Sequence, residues 1–168
     1  DLIDVISEAP NAQFRKLDGN VASANAVRLK LGLPPQGDLM VYVGGLAPHK
    51  NLSGFLKGFT QAKARGVATS QHLVLVGDYS GAGFHSNYTE LSKLANEAPL
   101  KGYVHFTGFI NDEDLVLLYN AAIAAVMPSF SEGFGLPAVE AMACGTPVLS
   151  SDQGSLPEVV GEAGVFFD

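Results

Sequence analysis

The chain has 168 residues, about one domain's worth, with 47% hydrophobic and 16% charged, so it buries a substantial core and lies outside the disordered class. Ten Lys and Arg against seventeen Asp and Glu give a formal net charge of −7, which argues against the basic stripe that nucleic-acid binding needs, so any anionic ligand has to be held locally. A single cysteine, Cys144, excludes an intramolecular disulfide and a cysteine-based zinc site, and the longest apolar tract, Leu115 to Met127, is broken by Asn120 and falls short of the roughly 20 residues that span a bilayer.

The first 37 residues are the least regular. Val5-Ile6 is a candidate strand, and Ala22 to Leu31 reads as a helix stopped by Gly32 and Pro34. Asp38 to Val43 is a buried strand ending in Gly44-Gly45, and Leu52 to Ala64 follows with apolar residues at helical spacing. His72 to Val76 is a second strand closed by Gly77-Asp78, followed by a Gly/Ser-rich loop and a helix over Tyr88 to Glu97. Tyr103 to Phe106 is a third strand. Asn111 then caps a helix over Asp112 to Asn120, whose first turn holds Asp112, Glu113 and Asp114, where the helix dipole favours acids. Ile123 to Met127 is a fourth strand, Pro137 to Cys144 a helix, Val148 to Ser150 a fifth strand and Val165 to Phe167 a sixth. Strands alternating with helices predict an α/β fold, a Rossmann-like parallel sheet with helices on both faces. The chain opens at Asp1 rather than at a methionine and carries no signal peptide, so it is expected to be an excised piece.

In such a sheet, ligands sit outside the carboxyl ends of the strands, which points to three loops: "GGLAPHKN" (44–51), "GDYSGAGF" (77–84) and "SFSEGFGLP" (129–137). In the last, Pro137 fits the first helical position and Gly145 the position just past the end. The amides of Phe134, Gly135 and Leu136 would then stand free at the positive end of a helix, with Gly133 and Gly135 allowing close approach, as in a phosphate site. Glu140 would lie in the first turn leaning back toward that end, and Glu132 in the loop at its mouth. Carboxylates repel phosphate, so these two suit hydroxyl groups flanking it, which is the layout of a nucleotide-sugar. The bland alternative for both glutamates is a solvated helix start, and for Lys50 a surface lysine. The four histidines are scattered without ligand spacing, so no metal site is expected.

Two other classes fit parts of the pattern. "GFGLPA" (133–138) satisfies G-x-G-x-x-A with Asp152 downstream, as an NAD-type dinucleotide-binding domain would, although Pro128 to Glu132 intervene after the strand. A glycosidase would use Glu132 and Glu140 as its carboxylate pair.

The stretches "VGGLAPHKNLSGFLKGF", "LVLVGDYSG", "VHFTGFINDEDLVLLYNAA" and "VMPSFSEGFGLPAVEAMACGTPVLSSDQGSLPEVVGEAGVFFD" resemble the carboxy-terminal, donor-binding half of a retaining GT-B glycosyltransferase of the GT4 family. The resemblance covers about residues 38–168, with residues 1–37 an approach segment packed on the domain and the acceptor-binding domain outside the chain. It implies that Glu132 contacts the transferred sugar, that Glu140 binds the ribose hydroxyls, and that Lys50, with Gly44, Gly45 and the amides of Phe134, Gly135 and Leu136, holds the diphosphate. Phe109 and Ile110 would edge the nucleobase, mainly through their backbone. It further implies a GDP-, UDP- or ADP-sugar as donor substrate, no metal or other cofactor, and retaining hexosyl transfer to an acceptor in polysaccharide or glycolipid synthesis. The location would be cytoplasmic, at the inner membrane surface through the missing domain. The fragment alone would be inactive, and a non-catalytic nucleotide-binding module is the alternative. Many members carry an arginine where this chain has Gly45, and others Arg-Lys where it has His49-Lys50, which leaves Lys50 as the diphosphate's cation and His49 as a pH-dependent helper.

Overall fold

The computed structural model describes residues 8–18, 21–79 and 87–167, with backbone alone at 21 and 22. The candidate strand Val5-Ile6 and most of the Gly/Ser-rich loop after Asp78 lie outside the described residues. The elements run α1 (Val21–Lys30), β1 (Asp38–Val43), α2 (Leu52–Ala64), β2 (Gln71–Val76), α3 (Tyr88–Asn96), β3 (Val104–Gly108), α4 (Asp112–Ala121), β4 (Ala122–Met127), α5 (Leu136–Ala143), β5 (Val148–Ser151), α6 (Leu156–Val160) and β6 (Gly164–Phe167). All six strands are parallel, in the order β3-β2-β1-β4-β5-β6. This is the doubly wound arrangement, and its strand order reverses between β1 and β4.

Alternation along the strands feeds two cores. Leu39 and Val41 of β1, Val74 and Val76 of β2, and Ala125 and Met127 of β4 face α1, α4, α5 and α6. Met40, Tyr42, Leu73, Leu75 and Val126 face α2 and α3. A parallel sheet with both faces covered needs apolar residues in both registers, so β1 and β2 are almost continuous apolar runs. Residues 8–18 and 23–37 join the first core: Phe14 is buried there, the Leu17 amide donates to Asn120 Oδ1 at 2.8 Å, and Arg28 donates to the carbonyls of Pro34 and Gly37, each at 2.8 Å.

The helix signals act as their chemistry dictates. Asn111 Oδ1 accepts the Asp114 amide at 2.9 Å, a cap worth about 1 kcal/mol. Asp114, 7% exposed, is paired with Lys30 of α1 at 2.7 Å, which ties α1 to α4. Among the described residues no helix is long and apolar enough to cross a membrane.

Two expected boundaries are corrected. Helix α5 begins at Leu136 rather than Pro137, because Gly135 adopts the left-handed conformation (φ 95°) and serves as its cap, leaving Pro137 at the second position. Glu140 therefore lies in the second turn, and the first turn holds no acid. The third strand starts at Val104 and runs on to Gly108. Tyr103 stays outside it, its ring packed on His72 and covered by the Lys63 ammonium at 3.3 Å from the centroid.

Candidate functional site

The loops after β1 and β4 meet at the switch point. Loop 44–51 contains a tight turn over Pro48–Lys50: the Lys50 amide donates to the Ala47 carbonyl at 2.9 Å, and Asn51, left-handed at φ 51°, starts α2. Gly54 leaves room for the Asn51 side chain, whose oxygen a Cβ there would displace. The Phe130 amide donates to the His49 carbonyl at 2.8 Å, sewing the two loops together. His49 thus contributes its backbone, while its side chain is exposed.

This turn delivers Lys50 to Glu132. The Lys50 ammonium stands 2.8 Å from both Glu132 carboxylate oxygens, with the side chains 21% and 11% exposed. Ser129, fully buried, donates its hydroxyl to Glu132 Oε1 at 2.6 Å. Behind it, Ser151 donates to the Ser129 carbonyl at 2.6 Å, and the Ser155 hydroxyl is shared between the carbonyls of Glu132 (3.2 Å) and Phe134 (3.0 Å). Gly154 lies flat against the loop: a Cβ there would sit 3.1 Å from the Glu132 nitrogen. Segment 151–155 is thus the backing that shapes the glutamate loop, and Ser129 is the residue that orients its carboxylate. Ser129→Ala is expected to destabilise the protein by about 2 kcal/mol, as a short charge-assisted bond is lost in a buried place. Calorimetry should show a fall of roughly 4–8 °C in melting temperature; an unchanged value would mean that Lys50 alone holds the carboxylate.

Next to this pair, the amides of Phe134, Gly135 and Leu136 have no acceptor among the described residues. They stand at the positive end of α5, which has no side-chain cap. An ammonium has three N–H donors, and Glu132 engages Lys50 with two oxygens, so one donor is left for a ligand.

Glu140 is half-buried on α5, and its carboxylate has no hydrogen-bond partner among the described residues. Burial, and secondarily the charge of Asp112 at the start of α4, raise its pKa to about 7. The same carboxylate adds to the forces that push the Tyr119 hydroxyl up, after burial, and Tyr119 itself donates to the Pro137 carbonyl at 3.2 Å. The turn that follows β3 leads into Asp112 and α4. In that turn Phe109 is 78% exposed and Ile110 only 8%, its side chain in the core, so Ile110 offers a ligand its backbone alone.

Gly44 and Gly45 lead the first loop, and nothing occupies the space within 4 Å of where a Gly45 side chain would begin. No group of three His, Cys, Asp or Glu suited to a metal ion occurs among the described residues. The histidines are less scattered than the sequence suggests. His72 Nδ1 and His105 Nε2 lie 3.1 Å apart on adjacent strands, and burial lowers both pKa values, that of His105 to about 4. They sit at the amino ends of β2 and β3, away from the site. A cavity of about 450 Å³ between α2 and β5 and β6 has no charged residue in its lining, so it offers nothing to an anion.

Sequence reasoning selected Lys50, Glu132, Glu140 and the α5 amides but not Ser129, Ser151, Gly154 or Ser155. Their partners are distant in the chain or buried in an irregular loop, where no periodicity marks them. The sequence also treated Lys50 and Glu132 as separate contacts, whereas here they are each other's partner.

Fold and site define a doubly wound α/β domain whose switch-point crevice carries unpaired helix amides, a spare ammonium donor and two carboxylates in different surroundings. The chain belongs to the family described as Glycosyl transferases group 1, whose model matches residues 24–168. It is 41% identical over 128 residues to the O-antigen chain mannosyltransferase B of Escherichia coli, covering 76% of this chain and 32% of that protein. It is 33% identical over 170 residues to the D-inositol 3-phosphate glycosyltransferase of Streptomyces bingchenggensis, covering 98% and 36%. The crystal structure of Anabaena Alr3699/HepE in complex with UDP-glucose superposes with a TM-score of 0.79 at 24% identity, over 95% of this chain and 42% of that one. The fold is that of one half of a GT-B glycosyltransferase, and the chain spans about a third of the length of the curated relatives it matches.

Proposed function

We propose that this chain is the donor-binding half of a glycosyltransferase that holds a nucleoside-diphosphate sugar and, with an amino-terminal acceptor domain, transfers a hexosyl group with retention. The observation that carries this reading is the Lys50–Glu132 pair set beside the open amides of Phe134 to Leu136. The diphosphate lies across the amides and takes the spare donor of Lys50, its charge met by backbone dipoles rather than by a metal. Glu132, aimed by Ser129 and Lys50, accepts from hydroxyls of the transferred sugar and stabilises positive charge developing at its anomeric carbon. The leaving diphosphate departs on the face where the acceptor hydroxyl arrives, and Glu132 forms no covalent bond.

Glu140 accepts hydrogen bonds from the ribose, and the backbone at Phe109 and Ile110 edges the base. The charge of Asp112, which directly follows that turn, acts on the Glu140 carboxylate, and this supports the placement. The relatives' names, an O-antigen chain mannosyltransferase and an inositol phosphate glycosyltransferase, support sugar transfer, the first of them in building a sugar chain. The UDP-glucose in the HepE complex supports a nucleotide-sugar as the ligand class.

Titrating the 168-residue chain with UDP, GDP, ADP and NAD by calorimetry tests this. A nucleoside diphosphate is expected to bind, weakly and more tightly than NAD, and the chain alone to transfer nothing. Tighter binding of NAD would favour the dinucleotide-binding alternative, which the long loop between β4 and α5 already disfavours.

A further inference from the structure

Tyr42 is not among the residues assembled above, yet its phenol lies under the first loop. The side chain is 1% exposed on the α2 face of β1, and its hydroxyl donates to the Gly45 carbonyl at 2.5 Å. Burial, with the negative charge of Glu132 second, holds the phenol's proton well above the ordinary tyrosine range, so the group is a permanent donor within the field of the site's carboxylate.

A trans peptide directs its carbonyl and its N–H to opposite sides. The Gly45 carbonyl is drawn inward onto the phenol, which turns the Leu46 N–H outward, away from the core. That amide has no acceptor among the described residues, although the Leu46 side chain is 4% exposed and the Leu46 carbonyl accepts the Asn87 amide at 3.0 Å. A backbone donor in such a compact turn normally finds an acceptor or a ligand. The turn is pinned from its other end as well. Gly44 donates to the Val76 carbonyl at 2.9 Å and takes φ 147°, and a Cβ on it would stand 3.0 Å from the tyrosine oxygen. Gly77 is excluded from having a side chain by the Gly44 carbonyl, 2.3 Å from where its Cβ would be. The strand end, the phenol and Gly77 thus hold this turn from several sides.

We infer that Tyr42 is a positioning residue for the diphosphate seat: its hydroxyl locks the Gly45 carbonyl so that the Leu46 amide is presented as a further donor to a phosphate oxygen, on the same short loop as Lys50. This rests on the reading of the crevice as a nucleoside-diphosphate site. It also gives the loop a phosphate donor that needs no cation at position 45.

Tyr42→Phe keeps the buried ring and removes only the hydroxyl. With the 168-residue chain, its affinity for UDP, GDP and inorganic pyrophosphate is expected to fall about tenfold, the usual effect of losing one hydrogen bond to a charged group. In the unaltered chain, titration with pyrophosphate is expected to shift the Leu46 amide resonance, and in Tyr42→Phe that shift is lost. A merely structural role would lower the melting temperature without abolishing this shift. Equal affinities in the two proteins, or a Leu46 resonance that pyrophosphate leaves in place in the unaltered chain, overturns the inference; the second measurement decides even where the variant fails to fold. If the unaltered chain binds neither diphosphate nor pyrophosphate, the functional reading fails and this inference with it, whereas normal binding with an unaffected variant sinks the inference alone.

Discussion

Lys50→Met is expected to abolish measurable nucleoside-diphosphate binding and to destabilise the chain, while Lys50→Met combined with Glu132→Gln restores the stability but not the binding. The single change leaves a carboxylate that is 11% exposed with one hydroxyl and no cation. Removing one partner of a fully buried ion pair costs about 3–5 kcal/mol, and the partial exposure of Lys50 reduces that to about 1–3 kcal/mol here. Neutralising Glu132 in the double variant removes the isolated charge, so thermal unfolding should recover most of the loss. The ligand meanwhile still lacks its ammonium, worth at least tenfold in affinity for a charge-assisted contact. Two outcomes count against this picture: binding that survives in the single variant, which would make Lys50 a purely structural partner of Glu132, and binding that returns in the double variant.

Glu140→Gln is expected to stabilise the chain at pH 8, leave it unchanged near pH 4, and raise the donor KM of the full-length enzyme about tenfold with kcat little altered. The sign follows from linkage. The folded state holds the Glu140 proton up to about pH 7, against an ordinary glutamate value of 4.5, so between these values the folded chain binds more protons than the unfolded one. The stability this contributes is fully present below about 4.5 and is lost as pH rises through about 7. Glutamine stays neutral at every pH and escapes that loss. The gain is modest, roughly 2–4 °C in melting temperature, because Glu140 is only half-buried and solvent screens it.

The same shift predicts that nucleoside-diphosphate affinity declines as pH falls below about 7, since a protonated Glu140 has less capacity to accept from ribose hydroxyls. A carboxyl with its pKa near neutrality would also suit a general acid, which is how a glycosidase would use it. The kinetics separate the two: a collapse of kcat with intact donor binding in Glu140→Gln is the result the hydrolase requires. Ionising a half-buried carboxylate that has no hydrogen-bond partner among the described residues is a cost to the fold, and it is intelligible where the missing partner is a substrate.

Much of this was legible along the chain because the physics is local. The bounds of β1 and α2 come directly from an apolar run ended by two glycines and from helical spacing after Asn51. The cap at Asn111 needs only a side-chain oxygen three residues before an amide. Errors appear where a turn or a non-local partner wins. Tyr103 reads as strand, but its amide closes a turn onto the Leu100 carbonyl at 2.8 Å, and α5 starts one residue early because Gly135, wedged against Leu156, takes the capping role. Helix α6 (Leu156–Val160) went unseen because Gly154 and Pro157 look like breakers, although proline is harmless in a first turn.

The amino-acid sequence by itself determined the alternation of strands and helices, hence the parallel doubly wound sheet, the loops at its carboxyl edge, and the residue types able to meet a phosphate and its flanking hydroxyls. Each of these depends on periodicity, capping or the freedom of a glycine, which neighbours in the chain supply. Only the tertiary structure decided that Lys50 and Glu132, from loops on either side of the switch point, neutralise each other, that Ser129 aims the shared carboxylate, that the Glu140 carboxylate is half-buried with no hydrogen-bond partner among the described residues, and that Tyr42 holds the first loop from beneath. Those are pairings across long stretches of chain, and burial sets their strength: a carboxylate's charge, a phenol's proton and an amide's orientation are fixed by what the fold packs around them.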